Sequence, residues 1–156
     1  MSDNHPAVIT CALTGVLTDP TQHKVPVTAR EMAAAAEEAY NAGATVVHCH
    51  YRRQEPGMGR FPTWEPAVIA EIDAAIRARV PSIIVNMSTG VVGPDVSGPL
   101  ACMERVRPEM AALNAGSLNY LKALYFDNPE WTPFVISLMP ATWIKYREAL
   151  EEIVLA

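Results

Sequence analysis

Two histidines separated by a single residue are the side chains of this chain best suited to chemistry. His48 and His50 lie within the largely apolar segment VVHCHYR. If that segment forms a β-strand, both imidazoles point to the same face, and their Cα atoms lie roughly 6.5–7 Å apart. Neutral imidazole is a common zinc ligand, and a catalytic zinc site adds a third protein ligand and leaves one position open. The spacing therefore predicts that the two rings hold one divalent metal ion.

Small polar residues also follow the other predicted strands. They are Thr14 with Gly15, Ser88 with Thr89 and Gly90, and Asn114 with Gly116. In α/β folds, ligands bind at the carboxyl ends of parallel strands. Hydroxyl groups and glycine amides suit recognition of a carboxylate or carbonyl oxygen, because the backbone N–H groups can approach closely there. We therefore expect these residues to form a substrate pocket beside the histidines.

Alternating strands and helices must position these residues. Apolar, β-branched runs predict the strands, and apolar residues at helical spacing predict the helices, the first of which begins at a capping box formed by Thr28 and Glu31. The predicted elements are strands at 7–15, 44–52, 81–90 and 111–121, helices at 27–43, 65–80 and 98–110, a further strand at 134–139 and a terminal helix at 140–156. Crossovers of this length favour a parallel sheet.

Composition narrows the classes of protein to consider. The chain has 156 residues, half of them hydrophobic, which predicts one soluble domain over residues 1–156. Its net charge is -5 and its 12 lysines and arginines are scattered, so we expect no nucleic-acid partner. The start lacks the basic region of a signal peptide and no apolar run reaches the ~20 residues of a membrane span, so we expect a cytoplasmic protein without a membrane partner. The three cysteines, Cys11, Cys49 and Cys102, lack CxxC spacing and are expected to be reduced thiols.

Four segments, taken in order, resemble a known family. They are ITCALTG, NAGATVVHCHYR, IIVNMSTG and RPEMAALNAGSLNY. Together they resemble the N-terminal half of the β-keto acid cleavage enzymes, the family of 3-keto-5-aminohexanoate cleavage enzyme, from about residue 7 to about residue 128. The resemblance implies a (β/α)8 TIM barrel, of which this chain supplies about the first half, with a tail at 130–156 that matches poorly.

The resemblance also implies an activity and roles for individual residues. Family members hold a divalent metal, usually zinc, and convert a β-keto acid and acetyl-CoA into acetoacetate and a new CoA thioester, typically as homotetramers. By this resemblance the chain is a zinc-dependent, C–C bond cleaving acyltransferase with acetyl-CoA as co-substrate. His48 and His50 become zinc ligands, and Ser88 contacts the substrate near the metal as the catalytic residue. Gly90 and Asn114 line the carboxylate pocket, and Arg52 is expected to form a salt bridge that orients its loop.

The chain departs from the family pattern in three ways. Ala112 replaces a hydroxyl residue of the carboxylate pocket, which removes one possible donor to the carboxylate. Leu17 stands where the described member carries a glutamate, which favours a neutral or apolar acyl chain in the substrate. The third zinc ligand, a glutamate, and the catalytic arginine and aspartate of the late strands have no counterpart here. A barrel of ~250 residues would need a chain longer than this one. We therefore expect a truncated barrel, with a smaller α/β sheet completed by the tail as the alternative.

Two other interpretations compete with this family. An amidohydrolase-type hydrolase also carries two histidines in this spacing, but on its first barrel strand, whereas this pair lies on the second predicted strand. A non-catalytic fragment whose apolar helices assemble into an oligomer would need no metal, and one ring would then cap the strand by a backbone hydrogen bond. Two polar rings on one face of an apolar strand are costly unless something satisfies them, which favours the metal site.

Overall fold

The computed structural model describes residues 7–15, 18–90 and 95–112, and these ranges contain four strands and three helices. The elements are β1 (Thr10–Ala12), α1 (Ala29–Asn41), β2 (Val46–Cys49), α2 (Pro66–Arg79), β3 (Ile84–Met87), α3 (Ser97–Val106) and β4 (Met110–Ala111). All strands are parallel and their order in the sheet is β1-β2-β3-β4, the order in the chain. The predicted α/β class with a parallel sheet is confirmed. None of the helices in these ranges is long and apolar enough to cross a membrane.

Helix α1 begins at the capping box that the sequence predicts. The Thr28 hydroxyl accepts a hydrogen bond from the Glu31 N–H at 3.3 Å, and the Glu31 carboxylate accepts one from the Thr28 N–H at 3.0 Å. These bonds satisfy donors that the first turn of a helix leaves without partners. Backbone hydrogen bonds from Thr28 and Val27 lower the pKa of Glu31. Just beyond the end of the helix, Gly43 adopts a φ of 102°, which favours glycine.

The core lies between the helices and one face of the sheet. Helix α2 carries the predicted stripe of isoleucines, and all three are fully buried. On the strands, alternate residues face this core, as the period of two requires. The core-facing strand residues are Val47 and Cys49 of β2 and Val85 and Met87 of β3. The burial of these apolar side chains supplies most of the stabilisation of a small domain.

The opposite face of the sheet is more open in the described part of the chain. Ile84 and Met110 are 36% and 43% exposed on this face, although Val46 is buried. His48 and Asn86 lie on it side by side, because the parallel register pairs these two residues across β2 and β3. The open face therefore carries the side chains of interest.

The third helix is shorter than predicted, and the fourth strand begins earlier. Helix α3 ends at Val106, and Arg107 adopts a left-handed backbone with a φ of 51° before Pro108. The proline ring clashes with an α-helical conformation of the residue before it, so the helix predicted over 98–110 ends early. Strand β4 starts at Met110, inside that predicted helix. Most of the predicted strand over 111–121 and both later predicted elements lie outside the described residues.

The cysteines are unpaired, as predicted. Cys11 is partly buried, whereas Cys49 and Cys102 are fully buried. Burial raises the pKa of Cys49 to about 12 and that of Cys102 to about 11. Both of these thiols are therefore protonated at neutral pH and are poor nucleophiles.

Candidate metal and substrate site

The two histidines meet at the carboxyl end of β2. Their Nε2 atoms lie 3.2 Å apart, and their ring centroids are 4.9 Å apart with planes inclined at 82°. His48 is the third residue of β2, and His50 follows directly after the strand ends at Cys49. Both side chains are partly buried. The structure thus brings the two candidate ligand nitrogens together on the open face of the sheet.

The distance between these nitrogens fits a shared zinc ion. Two zinc–nitrogen bonds of about 2.0–2.1 Å at a tetrahedral angle place their nitrogens about 3.3 Å apart. The observed separation is 3.2 Å. The same distance also suits a direct N–H···N hydrogen bond between two neutral rings of opposite tautomer. A measurement of metal binding distinguishes the shared zinc ion from the direct hydrogen bond between the rings.

Burial favours the metal-binding form of His50. Desolvation lowers the pKa of His50 to about 4, and the nearby His48 and Arg52 act in the same direction. The imidazole is therefore neutral at physiological pH, and a metal ligand must be unprotonated.

Thr14 binds the main chain of His50 from the end of β1. Its hydroxyl donates to the His50 carbonyl oxygen at 3.0 Å and accepts from the His50 N–H at 2.9 Å. The Thr14 side chain is buried. Its single hydroxyl proton is thus engaged by the protein, and its predicted contact with substrate stays a prediction.

Arg52 is almost fully buried, with 1% of its surface exposed, and it binds carbonyl oxygens. Its guanidinium donates to Arg60 at 2.8 Å, to Gly15 at 2.5 Å and to Thr14 at 3.4 Å. Within residues 7–15, 18–90 and 95–112, no carboxylate forms an ion pair with it. The predicted salt bridge is therefore absent from this part of the chain, and otherwise it stays a prediction. Carbonyl oxygens of two loops take its place, and Arg52 joins the loop after β1 to the loop after β2.

The residues after β3 lie beside the end of β2. Ser88 is buried, and its N–H donates to the Cys49 carbonyl oxygen at 3.0 Å, which continues the ladder between the two strands. The Thr89 hydroxyl donates to the carbonyl oxygen of Ala112 and so joins the ends of β3 and β4. Gly90 is exposed. Asn114 lies outside the described residues, so its predicted place in the pocket stays a prediction.

Asn86 is a candidate that the sequence reasoning missed. It is the neighbour of His48 across the sheet, and its carboxamide oxygen is buried without a hydrogen-bond partner in the described structure. A buried polar atom without a partner costs free energy, so it needs an explanation. The available signal was its position two residues before Ser88 in an apolar strand, which places both side chains on one face.

Only two candidate metal ligands come together in the described residues. Within those ranges no group of three histidine, cysteine, aspartate or glutamate side chains converges. A zinc site needs at least three protein ligands when it is catalytic. The histidine pair alone therefore does not make up a catalytic zinc site.

Comparison with known proteins gives the family. The model of the beta-keto acid cleavage enzyme family matches residues 6–150. The chain is 33% identical over 144 residues to 3-oxoadipate:acetyl-CoA acetyltransferase of Cupriavidus necator, which covers 90% of this chain and 48% of that protein. It is 35% identical over 127 residues to 3-keto-5-aminohexanoate cleavage enzyme of Fusobacterium nucleatum, and this match covers 80% of this chain and 45% of that protein.

A third relative has the same degree of similarity. The chain is 33% identical over 121 residues to 3,5-dioxohexanoate:acetyl-CoA acetone transferase of Paraburkholderia graminis, with 77% of this chain and 38% of that protein covered. The chain thus spans less than half the length of each of these curated relatives. Because the family match covers almost the whole chain, the resemblance seen in the sequence is confirmed, and the chain belongs to the beta-keto acid cleavage enzyme family.

Proposed function

We propose that this chain supplies part of the active site of a metal-dependent β-keto acid cleavage enzyme that uses acetyl-CoA. The observation that carries the proposal is the 3.2 Å approach of the His48 and His50 nitrogens at the end of a parallel strand. The names of the relatives support the acetyl-CoA part, since two of them are named as transferases that act with acetyl-CoA.

In the proposed reaction, a C–C bond of the β-keto acid breaks between the keto carbon and the α-carbon. The α-carbon fragment, which keeps the carboxylate, forms a new bond to the acetyl group of acetyl-CoA and becomes acetoacetate. The remaining acyl group passes to the CoA thiol, so atoms and charge balance without an oxidant. A divalent cation, when bound, supplies Lewis acidity toward the keto oxygen.

The chain's own residues would bind and orient the substrate. His48 and His50 hold the cation, and Ser88 contacts the substrate from the adjacent strand end. Thr89 and Gly90 are proposed to belong to the carboxylate pocket, as in the sequence analysis. The Thr89 hydroxyl itself donates to the Ala112 carbonyl oxygen. Leu17 favours a substrate whose acyl chain is neutral or apolar.

We propose further that the four parallel strands and three helices form part of a (β/α)8 barrel. Parallel strands in chain order with helices packed on one face form the repeating arrangement of a (β/α)8 barrel. The open face that carries His48 would then be the interior, and β1 and β4 would be edges that need partners. The third metal ligand and the remaining strands would come from residues outside the described part, or from a second copy in a homo-oligomer.

The test combines substrate binding with acetyl-CoA dependence. We expect the zinc-loaded chain to broaden the NMR signals of a β-keto acid with an apolar acyl group, and the metal-free chain to leave them sharp. When the ligand and catalytic residues without a counterpart in this chain are supplied, turnover with acetyl-CoA labelled at its carbonyl carbon should place the label in the keto carbon of acetoacetate. Consumption of substrate without acetyl-CoA would identify a hydrolase instead. A zinc-loaded chain that leaves β-keto acids unbound would contradict the proposal.

Asn86 provides a second test, because a functional group can be removed there at little cost in stability. We expect Asn86→Leu to weaken zinc-dependent binding of the β-keto acid at least about tenfold, while the free energy of unfolding stays within about 1 kcal/mol of wild type. Denaturant unfolding and NMR titration measure the two quantities. Thr10→Val, on the same face of the sheet, is the control and should change neither. A large loss of stability with unchanged binding would make Asn86 a structural residue.

A further inference from the structure

One side chain holds both main-chain polar groups of His50. The ladder between β1 and β2 continues as far as the bond from the Leu13 N–H to the His48 carbonyl oxygen, at 3.1 Å. Beyond that point β2 has ended, and the main chain of His50 is bound by the Thr14 hydroxyl instead, at 2.9 Å from N and 3.0 Å from O. The hydroxyl therefore replaces the ladder at the residue that follows the strand.

A hydroxyl can do this because it has one proton to donate and two lone pairs to accept with. Binding the N–H and the C=O of the same residue restrains the peptide groups on both of its sides. That restraint fixes the φ and ψ of His50, and the backbone of a residue limits the rotamers that its side chain can adopt. The direction of the His50 ring is thus coupled to a residue of the loop after β1.

Thr14 is itself held in place. The buried Arg52 guanidinium donates to the carbonyl oxygens of Thr14 and of the next residue, Gly15. Gly15 adopts a φ of 63°, and a Cβ added there would lie 2.9 Å from the Thr18 hydroxyl oxygen. The carbonyl oxygens of Thr14 and Gly15 are therefore both bound by Arg52, and the backbone that carries the Thr14 hydroxyl is held in place.

We propose that Thr14 is a positioning residue for His50, which sets the direction of the second imidazole so that both Nε2 atoms reach one cation. This inference rests on the proposed metal-binding function and deepens it. Under this proposal Thr14 acts by orienting His50, and it does not contact the substrate directly.

The experiment compares two substitutions of Thr14. Thr14→Val keeps the shape and removes the hydroxyl, whereas Thr14→Ser keeps the hydroxyl. We expect Co²⁺ affinity, followed by the visible absorption of the bound ion, to fall at least about tenfold in Thr14→Val and to stay within about threefold of wild type in Thr14→Ser, since partners of metal ligands typically contribute 10- to 100-fold. Ile76→Val, in the core of α2, controls for a general loss of stability and should leave the affinity unchanged.

A second measurement needs no metal. In the metal-free protein, the imidazole ¹H–¹⁵N signals of His50 should shift in Thr14→Val and return to their wild-type positions in Thr14→Ser. Unchanged ring signals together with unchanged Co²⁺ affinity in Thr14→Val would overturn the proposal. A wild-type protein that binds no Co²⁺ would refute the proposed metal function, and the ring signals would then decide the positioning role alone.

Discussion

Replacing His48 and His50 together with alanine is expected to abolish zinc binding. The wild-type chain should hold about one equivalent of zinc and the variant less than about a tenth, because the described residues offer no other converging ligand set. Zinc should also stabilise only the wild type, by about 2.7 kcal/mol at a free concentration one hundred times the Kd. Metal analysis after gel filtration and thermal unfolding with and without zinc measure both effects.

His23 provides the matched control, since it is exposed in the loop before α1. His23→Ala should retain the full equivalent of zinc and the full stabilisation by the metal. A double alanine variant that still binds one equivalent would place the metal elsewhere. A wild-type chain without zinc would favour the direct hydrogen bond between the two rings.

The second large effect is expected at Arg52. Arg52→Met keeps most of the buried volume but removes the donors to three carbonyl oxygens. Unpaired buried acceptors cost about 1–3 kcal/mol each, and the exposed Arg60 can be rehydrated, so we expect a loss of about 2–3 kcal/mol in the free energy of unfolding. Urea denaturation followed by circular dichroism measures it.

Arg53, the next residue in the chain, is the control for this substitution. Arg53 is exposed, and its ion-pair partner at 2.8 Å is Glu55, which is also exposed. Surface ion pairs of this kind contribute little, so Arg53→Met should leave the urea midpoint where it is. Equal effects of the two substitutions would contradict the bridging role of Arg52 between the loops after β1 and β2.

Local chemistry explains the parts of the fold that the sequence predicts well. The capping box of Thr28 and Glu31 involves residues three apart, and the isoleucine stripe of α2 reflects a single helical face. The start of β4 was misplaced because the left-handed backbone of Arg107 depends on Pro108 and on packing that the apolar pattern does not report. Interactions between residues within about one helical turn of each other are thus predictable from the sequence.

The site was only partly predictable, because its contacts join distant residues. The HxH spacing indicated that His48 and His50 share a face, since strand geometry alone requires it. The partners of Arg52 are carbonyl oxygens of loops up to 38 residues away, which residue types cannot reveal. The double hydrogen bond of Thr14 likewise joins residues far apart in the chain, and the Asn86 oxygen lacks a partner among the described residues only because of how the chain folds around it.

The most direct test of the shared metal site is X-ray absorption spectroscopy of the zinc-loaded chain. We expect a first shell of nitrogen and oxygen at about 2.0–2.1 Å, with the outer-shell scattering of two imidazole rings. The scattering of one ring should disappear in His48→Ala. A zinc shell without imidazole scattering in the wild-type chain would contradict the account.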